Sequence, residues 1–533
     1  MKGKALLMKR NNKVLMLLGL AAGIVAGVVL CRRSRSKRDM VAESLNSVNH
    51  LCESVGLVTG LKPHDLRAAS TFMKGMYPDD GILVRLIRFV AWAAPQVFIV
   101  IPNALRTVSF ARPIYRLPIW LDEDNPLANH PWRDQPDASL PDEAEVVVIG
   151  AGFTGASCAY HWAKQVEAKG TMVVLEMGDT ASGASGACAG LVVMGRHFAT
   201  VRETVRKHLD RTRPDLTPRQ RDKLASQFAA AYVRSAYKNA SLVEETVAAE
   251  GYDCGYVRKG WIQAADGEDQ AALEESVRMS QAAGFGDWTK LRPEQSLQLG
   301  GMRVDHPAGF STGAAHFHPA RWVWSLLRTA IERPVVSLFT RTKVLGVEDV
   351  GDTYVVHTDR GAVSACFVIN ATESFTGFLH PEYKDLIDPV QTQSAFARGG
   401  PQTMKPDIGL SNKRGFFERV TDPEGIVLGS DATRLSYREA GRNQPSRFIT
   451  KFVIGEMQKY FGRSSLQVTH EWSSTAGFTA DEFPVVGLLD GKRQYIIGGM
   501  CGSGTAVSFN AARHVVQQIL GLEGPDDYPA EYF

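Results

Sequence analysis

The chain has 533 residues, enough for two or three domains, and its 44% hydrophobic and 22% charged residues are ordinary for a globular protein. A formal net charge of +3, with no RNA- or DNA-binding motif, gives no ground for a nucleic-acid partner. The 7 cysteines are scattered and form no C-x-x-C pair, so they read as mostly reduced thiols and not as a disulfide framework or a zinc site.

The first predicted element is a membrane helix. A basic stub (Lys2, Lys4, Lys9, Arg10, Lys13) precedes Val14 to Cys31, which carries no charge, and Arg32, Arg33, Arg35, Lys37 and Arg38 follow. An uncharged run of this length can cross a bilayer as a helix. The competing reading is a cleaved signal peptide, but no A-x-A site precedes the second basic cluster, and Leu30 before Cys31 makes a poor lipobox. Residues 14–31 are therefore expected to anchor residues 1–38 in a membrane, with equally basic flanks that leave the orientation open. Gly19, Gly23 and Gly27 place small residues on one face of that helix, where two copies could pair as a homodimer; small residues are also simply common in membrane helices.

Residues 39–142 are less legible. Phe89 to Pro102 is apolar but short for a span and carries Pro95, so it reads as an interfacial or buried hairpin segment, with a second span left open. From Leu121 to Glu145 the composition turns to prolines and acids, as in a linker or surface strap.

At Glu145 the pattern becomes specific. Val146 to Ile149 reads as a buried parallel strand running into Gly150-x-Gly152-x-x-Gly155, a helix-like segment extends to about Lys169, and Met172 to Leu175 reads as a second strand ending at Glu176. That is a β-α-β unit with an acid about 20 residues beyond the last glycine. Gly150 permits the turn, Gly152 lets a pyrophosphate approach the backbone, and Gly155 lets the helix pack close. The helix N-terminus, with Phe153 and Thr154, offers N–H groups to phosphate. Glu176 can accept from both ribose hydroxyls and would repel a 2′-phosphate, which points to FAD or NAD and away from NADP.

A run of small residues follows, from Gly178 to Gly190 and Leu191, suited to wrapping a cofactor. Thr217-Pro218-Arg219-Gln220 reads as an N-cap, a first-turn proline and a capping-box partner for a helix to about Glu250. Strands are expected within 251–266, a polar helix over 267–283, a helix from Trp322 to Glu332, and strands over 335–349, 353–358 and 363–370. Strands and turns fill 389–436. Trp472 to Gly487 reads as a loop entering a strand, and Tyr495 to Thr505 as a strand entering a glycine turn before a helix from about Ala506 to Leu520.

These pieces, in this order, resemble the D-amino-acid-oxidase-like (DAO) family of FAD-dependent oxidoreductases over roughly residues 143–522. The motifs are Gly150–Gly155 with Glu176, the Ala181–Gly190 loop, His318-Pro319, the strand end Val368–Thr372, Thr479-x-Asp481-x-x-Pro484-x-x-Gly487 and Gly502-x-Gly504. The resemblance implies an α/β fold with a Rossmann-like FAD-binding domain (about 143–250, 340–385 and 470–522) interleaved with a mixed-sheet substrate domain (about 250–340 and 385–470). It implies that Glu176 holds the adenosine ribose and that Ala184, Ser185, Ala189, Gly190 and Leu191 line the pyrophosphate and flavin. By the same resemblance Val344 contacts adenine through its backbone, and Gly502, Ser503, Gly504 and Thr505 sit at the flavin pyrimidine.

Within the family, Trp472 and Thr479-x-Asp481 look most like the γ-glutamylputrescine oxidase and glycine oxidase types. By the same resemblance, amino-acid oxidases of the group often carry near Ala476 an arginine that pairs with the substrate carboxylate, where this chain has alanine, and the flavin-linking cysteine of sarcosine-oxidase types is missing from the same neighbourhood, so FAD is expected to be non-covalent. The implied reaction is hydride transfer from a C–N carbon of a small amine or amino acid to the flavin, with oxygen or a quinone as acceptor. Arg196 and His197, just after the flavin loop, are the candidates to face substrate as catalytic residues. His316 and His318 read as structural histidines and not as a metal pair, and Arg321 and Arg434 are candidate anion partners that also read as surface charges. A quinone-linked dehydrogenase and a non-catalytic flavin-binding scaffold remain as rival readings.

Overall fold

Strand Glu143–Ile149 is buried on both faces, and the surrounding architecture covers it. A computed structural model describes residues 80–81, 84, 108–165, 170–194, 198–434, 437–489 and 491–522. The expected anchor at 14–31, the apolar segment 89–102, and Arg196 and His197 lie outside these residues. Among the described residues, no helix is long and apolar enough to cross a membrane.

The strands in chain order are β1 (Val108–Tyr115), β2 (Glu143–Ile149), β3 (Met172–Leu175), β4 (Leu191–Val192), β5 (Trp261–Gln263), β6 (Trp288–Leu291), β7 (Ala308–Ser311), β8 (Ala315–His316), β9 (Val336–Phe339), β10 (Val344–Asp349), β11 (Tyr354–Thr358), β12 (Gly361–Asn370), β13 (Asp388–Gly399), β14 (Gly409–Asn412), β15 (Gly415–Thr421), β16 (Glu424–Arg434), β17 (Leu466–Phe478), β18 (Val485–Leu488) and β19 (Gln494–Gly498). The helices that matter for the site are α1 (Phe153–Lys164), α2 (Ala184–Ala187), α3 (Pro218–Glu250), α4 (Pro319–Ile331), α5 (Arg447–Phe461) and α6 (Gly504–Ile519).

An eight-stranded sheet runs β10-β11-β12-β2-β3-β9, with β19 beside β12 and β18 beside β19. Its centre is parallel, so both faces need cover, and the alternation along β2 shows how this is met. Val146 and Val148 pack with Ala156 and Ala159 of α1 and with Ala511 and Val515 of α6. Val147 and Ile149 point the other way, onto Tyr354 and Val356 of β11 and onto Trp132. Each such valine, fully buried, stabilises the fold by ~1.5–3 kcal/mol.

A nine-stranded mixed sheet runs β1-β17-β13-β16-β15-β14-β5-β7-β6. On its outer face Leu410, Phe417, Leu428 and Val468 pack under α5 through Phe452, Val453 and Met457. On its inner face Phe396, Val420, Val427 and Trp472 join the core of the nucleotide-binding half.

The capping box is present as read: Gln220 N–H donates to Thr217 Oγ1 at 3.3 Å and Thr217 N–H donates to Gln220 Oε1 at 2.8 Å. Three expectations are corrected. Trp472 to Phe478 belongs to β17, because that stretch pairs residue by residue with β13. Helix α1 ends at Lys164, with Gln165 extended, instead of running to Lys169. Of the two readings for the segment after Leu121, the strap stands and the plain linker does not, since Leu127 and Trp132 are buried. Strand β1 was not foreseen at all; it lies parallel to β17 at the edge of the larger sheet.

Candidate active site

The carboxyl ends of β2, β3 and β12 meet at one crevice, the general ligand position of open α/β sheets. Gly150 turns out of β2 with φ of 110°, and a Cβ there would lie 2.7 Å from the Ala371 carbonyl oxygen. A Cβ on Gly155 would lie 1.8 Å from the Gly150 carbonyl oxygen, so helix α1 can approach the turn only with glycine there. Gly152 also makes room for the loop that follows β3. A side chain on it would meet Ser185 Oγ at 2.7 Å, and that hydroxyl accepts from Phe153 N–H at 2.8 Å. Thr154 is buried in the first turn of the same helix.

Glu176 is held by the turn it serves. Its Oε2 accepts from Ala151 N–H at 2.8 Å and its Oε1 from Gly178 N–H at 2.7 Å. Burial raises its pKa, and the two backbone N–H groups only partly offset this. A carboxylate has about four lone-pair sites, so acceptor capacity remains for two hydroxyls. The Glu176 carbonyl accepts from Thr342 N–H at 2.8 Å, which brings Val344, the first residue of β10, to the same end of the crevice.

Ala184 opens the one-turn helix α2, and Ser185 lies in it; Ala189 and Gly190 (φ of 79°) then lead into Leu191 of β4. The Thr505 hydroxyl donates to the Leu191 carbonyl at 2.6 Å, so the turn Gly502-Ser503-Gly504-Thr505 and the loop 178–191 meet, though they are distant in sequence. Ser503 is the N-cap residue of α6. The Cys501 thiol beside it is engaged, donating to Gly499 O at 3.1 Å and accepting from Thr479 N–H at 3.3 Å.

Two further residues at this crevice were not among the expected cofactor contacts, although Asn370 lies in the strand end Val368–Thr372 that carried part of the resemblance. Asn370, at the end of β12, is fully buried and its Nδ2 has no hydrogen-bond partner. Glu373, with φ of 56°, accepts from Met500 N–H at 3.0 Å and keeps Oε2 unpaired; burial raises its pKa. Asn370 was visible as the end of an apolar run, whereas nothing local marks Glu373.

The wall opposite the loop is the inner face of the larger sheet. Trp472 Nε1 donates to the Ala187 carbonyl at 2.8 Å, fastening β17 to α2. The strand registers place Ser474 and Ala476 of β17 and Ser394 of β13 on the face that Trp472 shares, and Gly429 of β16 and Phe416 of β15 beyond them. Glu418 lies on the same face, fully buried, and His316 Nδ1 approaches its Oε2 at 3.2 Å, an ion-pair contact without hydrogen-bond alignment. Burial opposes charge on His316, but the Glu418 carboxylate outweighs it and leaves its pKa raised. Glu418 could have been suspected as the one acid at an inward position of an alternating strand.

The remaining candidates separate. His316 faces Glu418, while His318 Nδ1 accepts from Arg321 N–H at the start of α4, so the two histidines have different partners. Arg321 is bound to Glu123 and Asp422 and serves no anion site. Arg434 stands opposite Val390 in the register of β13 and β16.

The profile of the FAD dependent oxidoreductase family (DAO) matches residues 145–518. The chain belongs to this family. It is therefore an FAD-dependent oxidoreductase, and the crevice built on Gly150 is its candidate cofactor site. A curated relative, the probable oxidoreductase OrdL of Rhizobium meliloti, is 23% identical over 264 residues, a match spanning 47% of this chain and 59% of the relative. Among solved structures, glycine oxidase from Geobacillus kaustophilus aligns with a TM-score of 0.59 at 17% identity, over 72% of this chain and 96% of that one. L-proline dehydrogenase from P. horikoshii aligns with a TM-score of 0.60 at 18% identity, over 74% of this chain and 96% of that one.

The residues present fit FAD. The Gly150–Gly155 turn leaves backbone free to approach, Glu176 retains lone pairs for a ribose, and the Asn370 amide is an unspent donor at the crevice. Ala184 to Leu191 and Gly502 to Thr505 would flank the rest of the cofactor, joined through the Thr505 hydroxyl.

Proposed function

We propose that this enzyme oxidises a C–N bond of a small amine or amino-acid-like substrate held between the cofactor loop and the inner face of the larger sheet. FAD, when bound, accepts the hydride equivalent. The observation that carries the reading is the wall fastened to α2 by Trp472: Ser394, Ser474 and Ala476 are small, uncharged and buried. An amine must be neutral to give up hydride, and a desolvated wall lowers its pKa. Ala476 offers a carboxylate no cation, which favours an amine substrate over a simple α-amino acid.

The comparison structures include a glycine oxidase and an L-proline dehydrogenase, and either oxygen or a quinone is a chemically competent acceptor. The charge-free run at 14–31 supports a membrane position and hence the quinone. The test is an anaerobic absorbance titration of the purified protein with primary and secondary amines, polyamines and amino acids. Bleaching of the flavin bands by an amine is expected. If dithionite bleaches the flavin and no amine or amino acid does, the C–N reading is lost. Admitting air and then a quinone to the bleached enzyme identifies the acceptor.

A further inference from the structure

The cofactor loop 178–190 is rich in glycine, alanine and serine, so it has little side-chain packing with which to hold itself closed. Its inner side is tied to the β2 turn, with Ala181 N–H donating to Ala151 O at 3.1 Å and Ser185 Oγ accepting from Phe153 N–H. Its outer side is held by a segment that precedes the family-matched stretch 145–518.

That segment leaves β1, itself fixed to β17, and crosses the loop lengthwise. Asn129 N–H donates to Asp179 Oδ1 at 2.9 Å, and Asn125 Nδ2 donates to Thr180 Oγ1 at 3.2 Å. Leu121 packs so tightly on Gly186 that a Cβ there would lie 2.9 Å from Leu121 Cδ2. Trp120, fully buried, donates its indole N–H to the Cys188 carbonyl at 2.9 Å and stands edge-on to His318 with centroids 5.0 Å apart.

Both ends of the crossing are secured. Glu123 grips Arg321 through two hydrogen bonds, of 2.9 and 2.7 Å, and its carboxyl is held down to about 2 by His318 and Arg321 against the cost of burial. Trp132 donates its indole N–H to Thr340 O at 2.6 Å under the Arg360 guanidinium, whose carbon lies 4.2 Å from the ring centroid.

We propose that residues 119–132 are a clamp that keeps the cofactor loop closed and sets how slowly FAD leaves, with Trp120 and Asn125 as positioning residues acting through the loop. The clamp rests on the assignment of FAD to loop 178–190. A cofactor lying against that loop cannot be freed by outward movement of the loop until the segment lifts.

The test uses the full-length flavin-loaded protein, diluted so that released FAD is followed by its returning fluorescence. Trp120→Phe keeps the ring and removes the bond to Cys188, Asn125→Ala removes the bond to Thr180, and Thr217→Ala is a destabilised control far from the clamp. FAD is expected to leave roughly fivefold to tenfold faster from Trp120→Phe and roughly twofold to fivefold faster from Asn125→Ala, the worth of one hydrogen bond each. The control should release at the wild-type rate, and the urea midpoint of the flavin-free protein should shift no more in the clamp variants than in the control. Unchanged release from both clamp variants, or release from the destabilised control sped up as much as from the clamp variants, overturns the clamp while leaving the FAD assignment intact. Should Trp120→Phe fail to fold, Asn125→Ala alone decides. A wild-type chain that binds no FAD on reconstitution overturns the cofactor assignment and the clamp together.

Discussion

At the cofactor turn of the eight-stranded sheet the key groups come from one short stretch, Glu176 accepting from Gly178 and from Ala151, 25 residues earlier, even though the sheet itself draws in β9–β12, β18 and β19. In the nine-stranded sheet, Ser109 of β1 donates to the Leu466 carbonyl across a separation of 357 residues, and Trp472 reaches Ala187 across 285. The first region carries out a nearly fixed task, binding a dinucleotide, with backbone geometry that the glycines enforce locally. The second presents a wall to a variable substrate, and its side chains acquire meaning only from strand neighbours. Cofactor chemistry can therefore be written in a motif, while substrate choice is distributed.

The strongest way to break this contrast is to cut the seam between the two regions. Trp472→Ala should destabilise the protein by ~3–5 kcal/mol and empty the cofactor site, as read by thermal unfolding and flavin content. A variant that retains full flavin would mean that the loop needs no support from the larger sheet. Gly155→Ala tests the local side. Its Cβ would stand 1.8 Å from a backbone oxygen that cannot give way cheaply, so a loss of ~1–3 kcal/mol and of flavin binding is expected.

Glu176→Gln exchanges charge-assisted acceptance for a neutral amide that must turn an N–H₂ toward one backbone donor. FAD affinity, measured by fluorescence titration of the apoprotein, should fall roughly tenfold to a hundredfold, in line with ~1.5–3 kcal/mol for bonds to a charged group. An unchanged affinity would show that the backbone turn alone holds the adenosine end.

The larger sheet has its own signature in pH. His316 is raised above its ordinary 6.5 when folded, because Glu418 outweighs burial. A raised pKa means that this pair stabilises fully below the unfolded value and loses its contribution as pH rises through the folded one. The urea midpoint should therefore decline on the alkaline side of 6.5, and Glu418→Gln should flatten that decline; equal slopes would remove the pair from the account. Glu123 has the opposite sign: its stabilisation is present above the ordinary 4.5 and is lost only as pH falls toward about 2. The smallest effect belongs to Thr217→Ala, which removes the cap of α3 at a cost of about 1 kcal/mol by urea denaturation.

Much of the cofactor site could be read beforehand because each part is a local device. Gly150, Gly155, Glu176 and the Thr217 cap depend on neighbours within a turn or a single β-α-β unit, and all four stand where the spacing put them. The substrate wall was not readable in that way. Trp472 to Phe478 looked like a loop because it is crowded with Ser, Thr, Ala and Gly, and only the pairing with β13 makes it a strand.

By itself, then, the sequence determined the β-α-β unit and its acid, because short-range sterics and hydrogen bonding leave those residue types few alternatives; the family, and FAD over NAD, were legible through the resemblance carried by the motifs taken in order. Tertiary structure alone decided that Thr505 meets Leu191, that Glu418 faces His316 inside the protein, that Trp120 is buried against the cofactor loop, and that Trp132 is buried under Arg360 with its indole bonded to Thr340. Those contacts join residues far apart along the chain. Their loop-closure cost is met by burial summed over whole sheets, so no single local pattern encodes them.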